Sequence, residues 1–305
     1  MQKMSIIKIS DVSKTYATVK ALKDITLSVE RGELFGLIGP DGAGKTTLMR
    51  ILTTLLLPDK GSAQVCELDV VNDYRKVRNI LGYMPGQFSL YQDLSVEENL
   101  KFFAGVFGTT IQENYHLIED VYKMLEPFKN RPAGKLSGGM KQKLALSCAL
   151  IHKPEVLILD EPTTGVDAVS RKEFWGLLRK LKAEGITILV STAYMDEASL
   201  CDRVALIQKG EILGVNKPEL FAKEYPYRLF SIEHPDVTLK LNEVRGFNSC
   251  KGAYLFGGAL HFSSINNNET PEGIINQLNG IGISNPIVKS IDAGIEDCFI
   301  QMMES

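Results

Sequence analysis

Glycines, a lysine and two threonines crowd one short stretch of this chain: residues 39–47 read GPDGAGKTT, directly after the apolar run 34–38. Such a stretch turns its backbone N–H groups inward, and the helix that follows aims its positive end at an anion, so the segment is a phosphate cradle. A triphosphate is what it holds. Lys45 reaches the β- and γ-phosphate oxygens, and the Thr46 hydroxyl takes one coordination place on Mg2+. The candidate nucleotide contacts are Gly39, Pro40, Asp41, Gly42, Ala43, Gly44, Lys45, Thr46 and Thr47. About 120 residues further on, the run VLILDE ends in two carboxylates. Asp160 is placed to hold Mg2+, directly or through water, from the C-terminal end of a sheet, and Glu161 to act as general base on an attacking water. Between them lies LSGGMKQKLALSCAL, residues 136–150. Ser137 reads as a helix N-cap, Gly138 and Gly139 expose the first N–H groups, and the chain thereby carries a second anion-binding helix end.

These groups work only if strands and helices hold them in place, and the pattern along the chain supplies both. Residues 34–38, 156–159 and 186–191 are short, apolar and rich in branched side chains, as central parallel strands require. Residues 5–10 and 25–29 read as further strands, and 204–207 with 211–215 as a hairpin around Gln208-Lys209-Gly210. Helical signals cover 44–56 and most of 95–150, while 77–83 leads into a loop. Phe102, Phe103, Val106 and Phe107 recur at helical spacing and read as a core face. A boundary is expected near Glu224-Tyr225-Pro226. Beyond it, alternation predicts strands over 227–233, 237–244 and 259–265, with helices over 271–278 and 294–303.

Composition narrows the class. The 305 residues are 44% hydrophobic, enough for full cores, and 34 Lys and Arg stand against 37 Asp and Glu for a net charge of −3. That balance argues against a nucleic-acid partner held by bulk charge, and Arg75, Lys76 and Arg78 read as a solvated helix face. The odd number of cysteines (Cys66, Cys148, Cys201, Cys250 and Cys298), without metal-ligand spacing, points to reduced thiols in a cytoplasmic protein. No stretch approaches a membrane span, so a membrane role needs a partner.

With the phosphate loop, the Asp160–Glu161 pair and LSGGMKQ present in that order, the sequence resembles the nucleotide-binding subunit of ATP-binding cassette (ABC) transporters over residues 5–222. The resemblance implies an α/β P-loop NTPase domain over 1–224, with a mixed-sheet core, an antiparallel β subdomain and a helical subdomain at about 90–150. A small C-terminal α+β extension follows over 225–305. It implies ATP and Mg2+ as cofactors, hydrolysis coupled to transport, and two kinds of partner. One is a second ATPase subunit, the same or different, which sandwiches two ATP molecules head to tail so that Ser137, Gly138 and Gly139 face the partner's nucleotide. The other is an integral membrane permease, which docks near residues 90–100 and keeps the chain at the inner face of the cell membrane. Tyr16 matches the aromatic that stacks on adenine, and Asp167, in Gly165-Val166-Asp167, the segment that communicates across the dimer. The tail, including residues 294–300, resembles the extension of drug- and antibiotic-exporting subunits.

Two positions depart from the family pattern. Gly86 stands where a glutamine usually contacts Mg2+ and water, with Gln87 displaced by one, and Ala193 stands where a histidine usually bonds the γ-phosphate. None of His116, His152, His234 and His261 takes that position. Tight ATP binding with slow hydrolysis at the chain's own loop is the expectation.

Overall fold

The computed structural model describes residues 4–304. A long hairpin comes first: β1 (Ser5–Tyr16) and β2 (Val19–Glu30) pair antiparallel, with Ala17 in the left-handed region at the turn. Both strands run further than the short apolar runs predict. Irregularities in their register near Asp11, itself at φ 51°, let the ladder continue past the buried stretches. β3 (Leu34–Ile38) is buried throughout, and α1 (Lys45–Leu52) follows the phosphate loop. This helix is shorter than the predicted 44–56 because Thr54 turns left-handed at φ 63°.

β4 (Lys60–Val65) and β5 (Leu68–Asp69) extend the first sheet to the order β2-β1-β4-β5. Next comes α2 (Tyr74–Ile80), a helix of which only Val77 is buried. Arg75, Lys76 and Arg78 lie exposed on this helix. β6 (Leu81–Met84) leads to three helices, α3 (Val96–Val106), α4 (Ile111–Tyr122) and α5 (Gly138–Leu150). Each starts at a hydroxyl cap, with full capping boxes at Ser95/Glu98 and Thr110/Glu113.

β7 (Val156–Asp160), α6 (Ala168–Ala183), β8 (Thr187–Thr192), β9 (Arg203–Gln208) and β10 (Glu211–Asn216) complete a six-stranded sheet of order β10-β9-β3-β8-β7-β6. Its strands are parallel except for β10 at one edge. Parallel alignment brings the C-terminal ends of β3, β7 and β8 to one side, where ligands of open α/β sheets sit.

The contacts divide the chain into Met1–Pro218 and Glu219–Ser305. α7 (Pro218–Lys223) begins at that break. In the second unit, β11 (Arg228–Glu233), α8 (Leu241–Arg245), β12 (Cys250–Phe256), β13 (Ala259–Ser264), α9 (Pro271–Gly280), β14 (Ile287–Ile291) and α10 (Ile295–Met303) form an α+β fold. Its antiparallel sheet has the order β12-β13-β11-β14. The predicted strand over 237–244 is corrected here: the segment holds the end of a 3-10 turn, Pro235–Val237, and the start of α8. Val237, closing the 3-10 turn, and Val244, in α8, are buried, whereas Leu239 between them is 81% exposed. The alternation was real in the sequence but did not mark the buried face.

Candidate nucleotide site

The phosphate loop leaves the buried end of β3 and is fixed to its neighbours on both sides. Gly39 donates its N–H to the carbonyl of Thr192 at 3.2 Å, and a Cβ at Gly39 would stand 2.2 Å from the carbonyl oxygen of Ile207. Only glycine fits. Gly44 adopts φ 110° and likewise faces a backbone oxygen, that of Ala21, at 2.5 Å from a built Cβ. At the loop's centre Lys45 is 3% exposed, and its ammonium donates to the carbonyls of Gly39 (2.8 Å) and Pro40 (3.0 Å) while lying 3.0 Å from Glu161 Oε1. All three ammonium donors thus have partners in the resting chain.

The carboxylate pair sits where β7 ends. Asp160 is 1% exposed, and its Oδ1 accepts the hydroxyl of Ser191 on the neighbouring strand β8 at 2.7 Å. The next residue leaves the strand abruptly: Glu161 has φ 49°, its N–H donates to Ser191 Oγ at 3.0 Å, and its Oε2 accepts from Thr164 Oγ1 at 3.3 Å. A non-glycine residue in the left-handed region costs on the order of 1–3 kcal/mol. That strain, held by Ser191, turns the side chain into the cleft beside Lys45. Burial and the nearby Asp160 charge push the Tyr83 phenol up to about 12.

A cavity of about 210 Å³ is lined by Tyr16, Gly42, Gly44, Lys45, Thr46, Thr47, Ala21 and Glu161. Tyr16, at the end of β1, is 44% exposed at its rim rather than packed in the core. Asp41 is exposed and lies outside this lining, and Ala43 is buried behind it. Ser137, Gly138 and Gly139 are not part of this cavity. Ser137 caps α5 by accepting the Met140 N–H at 3.4 Å, and the tip packs instead on the start of α6, where a Cβ at Gly139 would meet Ser170 Cβ at 2.7 Å. Asp167 caps that second helix through the Ser170 N–H at 2.9 Å, which holds its carboxyl below the usual range.

The two departures in the sequence fall beside this machinery. A Cβ on Gly86 would lie 3.2 Å from Asp160 O and 3.8 Å from its Oδ2, so position 86 looks onto the carboxylate, whereas Gln87 is solvent-exposed. Ala193 follows Thr192, whose carbonyl holds Gly39. Phe102, Phe103, Val106 and Phe107 are not a core face: Phe102 and Val106 are 43% and 61% exposed. Phe103 and Phe107 instead line a groove of about 350 Å³ with Leu55, Leu81, Met84 and Leu90, which also includes Arg78 and His152. Sequence reasoning passed over Ser191, whose hydroxyl donates to the Asp160 carboxylate and accepts the Glu161 N–H, although a hydroxyl on the strand next to a buried acid is the signal that finds it.

This cleft, with a lysine and two carboxylates at the ends of parallel strands, defines a P-loop nucleotide-binding fold. The family model described as "ABC transporter" matches residues 22–164. A Nod factor export ATP-binding protein I of Burkholderia orbicola is 35% identical over 298 residues, covering 96% of this chain and 95% of that protein. The chain belongs to the ABC transporter ATP-binding family. The Escherichia coli protein named Probable multidrug ABC transporter ATP-binding protein YbhF is 45% identical over 219 residues, 70% of this chain but only 38% of its own length. Among solved structures, the dimeric post-hydrolysis state of the cassette MJ0796 bound to ADP and Pi matches with a TM-score of 0.63 and 27% identity, covering 69% of this chain and 98% of that one. Among the described residues, no helix is long and apolar enough to cross a membrane.

Proposed function

We propose that this chain is the ATP-hydrolysing subunit of an exporter, coupling nucleotide-driven closure of a cassette dimer to a separate membrane permease. One observation carries the reading: the chain holds both halves of a nucleotide site, but the Ser137-capped helix tip is no part of the cavity that Lys45 and Glu161 line. A second cassette, facing head to tail, supplies the missing half to each. Tyr16 at the rim offers a stacking face for adenine, the loop from Gly39 to Thr47 holds the phosphates, and Glu161 released from Lys45 serves as base. The donor set also fits Mg2+, which takes few carboxylates and keeps phosphate and water oxygens. Thr46 and Asp160, whose Oδ1 is committed to Ser191, would hold it, and it would neutralise charge on the phosphates. The apolar groove beside residues 81–90, with Arg78 and His152 in its wall, suits a short amphipathic segment of the permease.

Gly86 and Ala193 make the chain's own site slow. This favours pairing with a different subunit whose site Ser137 completes; the second reading is an ATP-operated clamp with little hydrolysis, which the intact Glu161 opposes. The extension beyond about residue 225 is an accessory domain of exporter type. The test is dimerisation by light scattering with ATP, for Glu161→Gln and for Lys45→Ala, alone and with the permease's other cassette. ATP-dependent dimers of the first and none of the second support the reading. A chain that binds ATP yet stays monomeric with every mate refutes it.

A further inference from the structure

One buried acid has no part in the chemistry above. Glu197 lies in the 3-10 turn Met195–Leu200 after β8 and is 1% exposed. Its Oε1 accepts the Thr163 hydroxyl at 2.8 Å and its Oε2 the Thr192 hydroxyl at 2.6 Å. Burying a carboxylate is unfavourable unless its oxygens are bonded. Here both are, and the Arg171 guanidinium adds charge compensation from 3.9 Å, its buried Nε having no hydrogen-bond partner of its own.

The two threonines are placed at consequential points. Thr163 stands two residues after Glu161, and its carbonyl accepts the Val166 N–H at 3.2 Å, so it fixes the turn that leads to Asp167. Thr192 ends β8, holds the Gly39 N–H through its carbonyl, and through Oγ1 also accepts the Tyr194 N–H at 3.0 Å. Glu197 therefore ties the exit of β7 to the exit of β8, and through Thr192 to the first glycine of the phosphate loop. Arg171 extends the connection: it sits over the Tyr194 ring at 4.2 Å and belongs to α6 one residue after Ser170, on which Gly139 packs. The tip of α5, which faces the partner's nucleotide, is thus joined to the chain's own phosphate loop through α6, Glu197 and Thr192.

We propose that Glu197 is a positioning residue of the nucleotide site: it sets where the segment 161–166 and the turn 192–194 stand relative to the phosphate loop, and through them where Glu161 stands during hydrolysis. It touches no reacting atom. This assignment rests on the hydrolytic reading given above. The role requires a carboxylate, because two hydroxyls donate to it at once. Glutamine offers one acceptor oxygen, so one of the two hydroxyls loses its acceptor and must turn its own proton away from the N–H₂ group it then faces. The clamp loosens on one side while the fold stays intact.

The test uses the full chain with Glu197→Gln and Thr192→Val, singly and together, and reads ATP turnover, ATP affinity, unfolding midpoint and backbone amide exchange. Glu197→Gln lowers turnover about 10–100-fold, as small misplacements of catalytic groups do. ATP affinity stays within about threefold, because ground-state binding rests on Lys45 and the loop. The double variant is no slower than the slower single one, since both substitutions break one clamp. Exchange at 163–166 and 192–194 rises about tenfold or more, with the β3 and β7 amides unchanged. Turnover and unfolding midpoint falling in parallel, multiplicative losses in the double variant, or unaltered exchange would each overturn the assignment. If the unmodified chain binds ATP but never hydrolyses it, the hydrolytic reading fails, and the exchange measurement on the resting protein alone decides whether the clamp exists.

Discussion

Replacing Ala193 with histidine asks directly whether one absent donor limits this enzyme. Residue 193 begins immediately after Thr192, whose carbonyl is 3.2 Å from the Gly39 N–H, so it stands beside the start of the phosphate loop. Alanine there has no side-chain donor. A donor aimed at charge that develops in the transition state is worth about 10²–10³ in turnover, or about 2.7–4 kcal/mol, while contributing little to ground-state affinity. Ala193 is half-buried, and the turn around it is held by the Thr192–Tyr194 and Thr192–Glu197 hydrogen bonds, so the backbone is already in place for the new ring. Ala193→His is therefore expected to raise single-turnover hydrolysis toward that full range, with ATP affinity within about threefold. Gly86 caps the gain, since the second missing group also adjoins Asp160. Rapid-quench hydrolysis with the variant in excess over ATP measures the chemical step free of product release. A rate within threefold of the parent, with the nucleotide bound, would refute the argument that an imidazole at this position adds transition-state stabilisation.

The glycine at the loop's entrance gives a contrast in stability. Gly39→Ala forces a methyl to 2.2 Å from the Ile207 carbonyl, and displacing backbone of this kind costs about 1–3 kcal/mol or more, a fall of roughly 2–12 °C in midpoint for a unit of this size, with loss of ATP binding. Gly176→Ala, inside α6 with open space around the added atom, raises stability by about 0.5–1 kcal/mol in the same calorimetric assay. Acid sensitivity is expected from His152, which burial holds below its ordinary value of 6.5, stacked 3.7 Å from Phe107 and with Nδ1 buried without a partner. The unfolded chain takes up that proton near the ordinary value and the folded chain resists it, so stability is level above about 6.5 and declines as pH falls from there toward the lowered folded value. His152→Phe, which cannot titrate, has a shallower decline in denaturant midpoint between about pH 6.5 and 5; an unchanged slope would assign the acid sensitivity elsewhere.

Local chemistry was legible in the amino-acid order. The phosphate loop, the two acids closing an apolar run and the serine-capped helix each depend on neighbours only a few positions apart, and in each the residue types themselves impose the backbone. The parallel strands 34–38, 156–160 and 187–192 were readable for the same reason, because a strand buried on both faces reads as a nearly continuous apolar run. Where a pattern could satisfy two periods, it misled: 237–244 alternates in sequence while burying residues seven apart. The aromatic stripe at 102–107 looked like core because periodicity reports an apolar face but not what covers it. Ser191, Thr163 and Arg171 acquire their roles only by folding, which brings them within reach of Asp160 and Glu197 from separate strands and helices. A hydroxyl or guanidinium far along the chain carries no local mark of the acid it will serve; only the lateral order of β3, β8 and β7 decides that pairing.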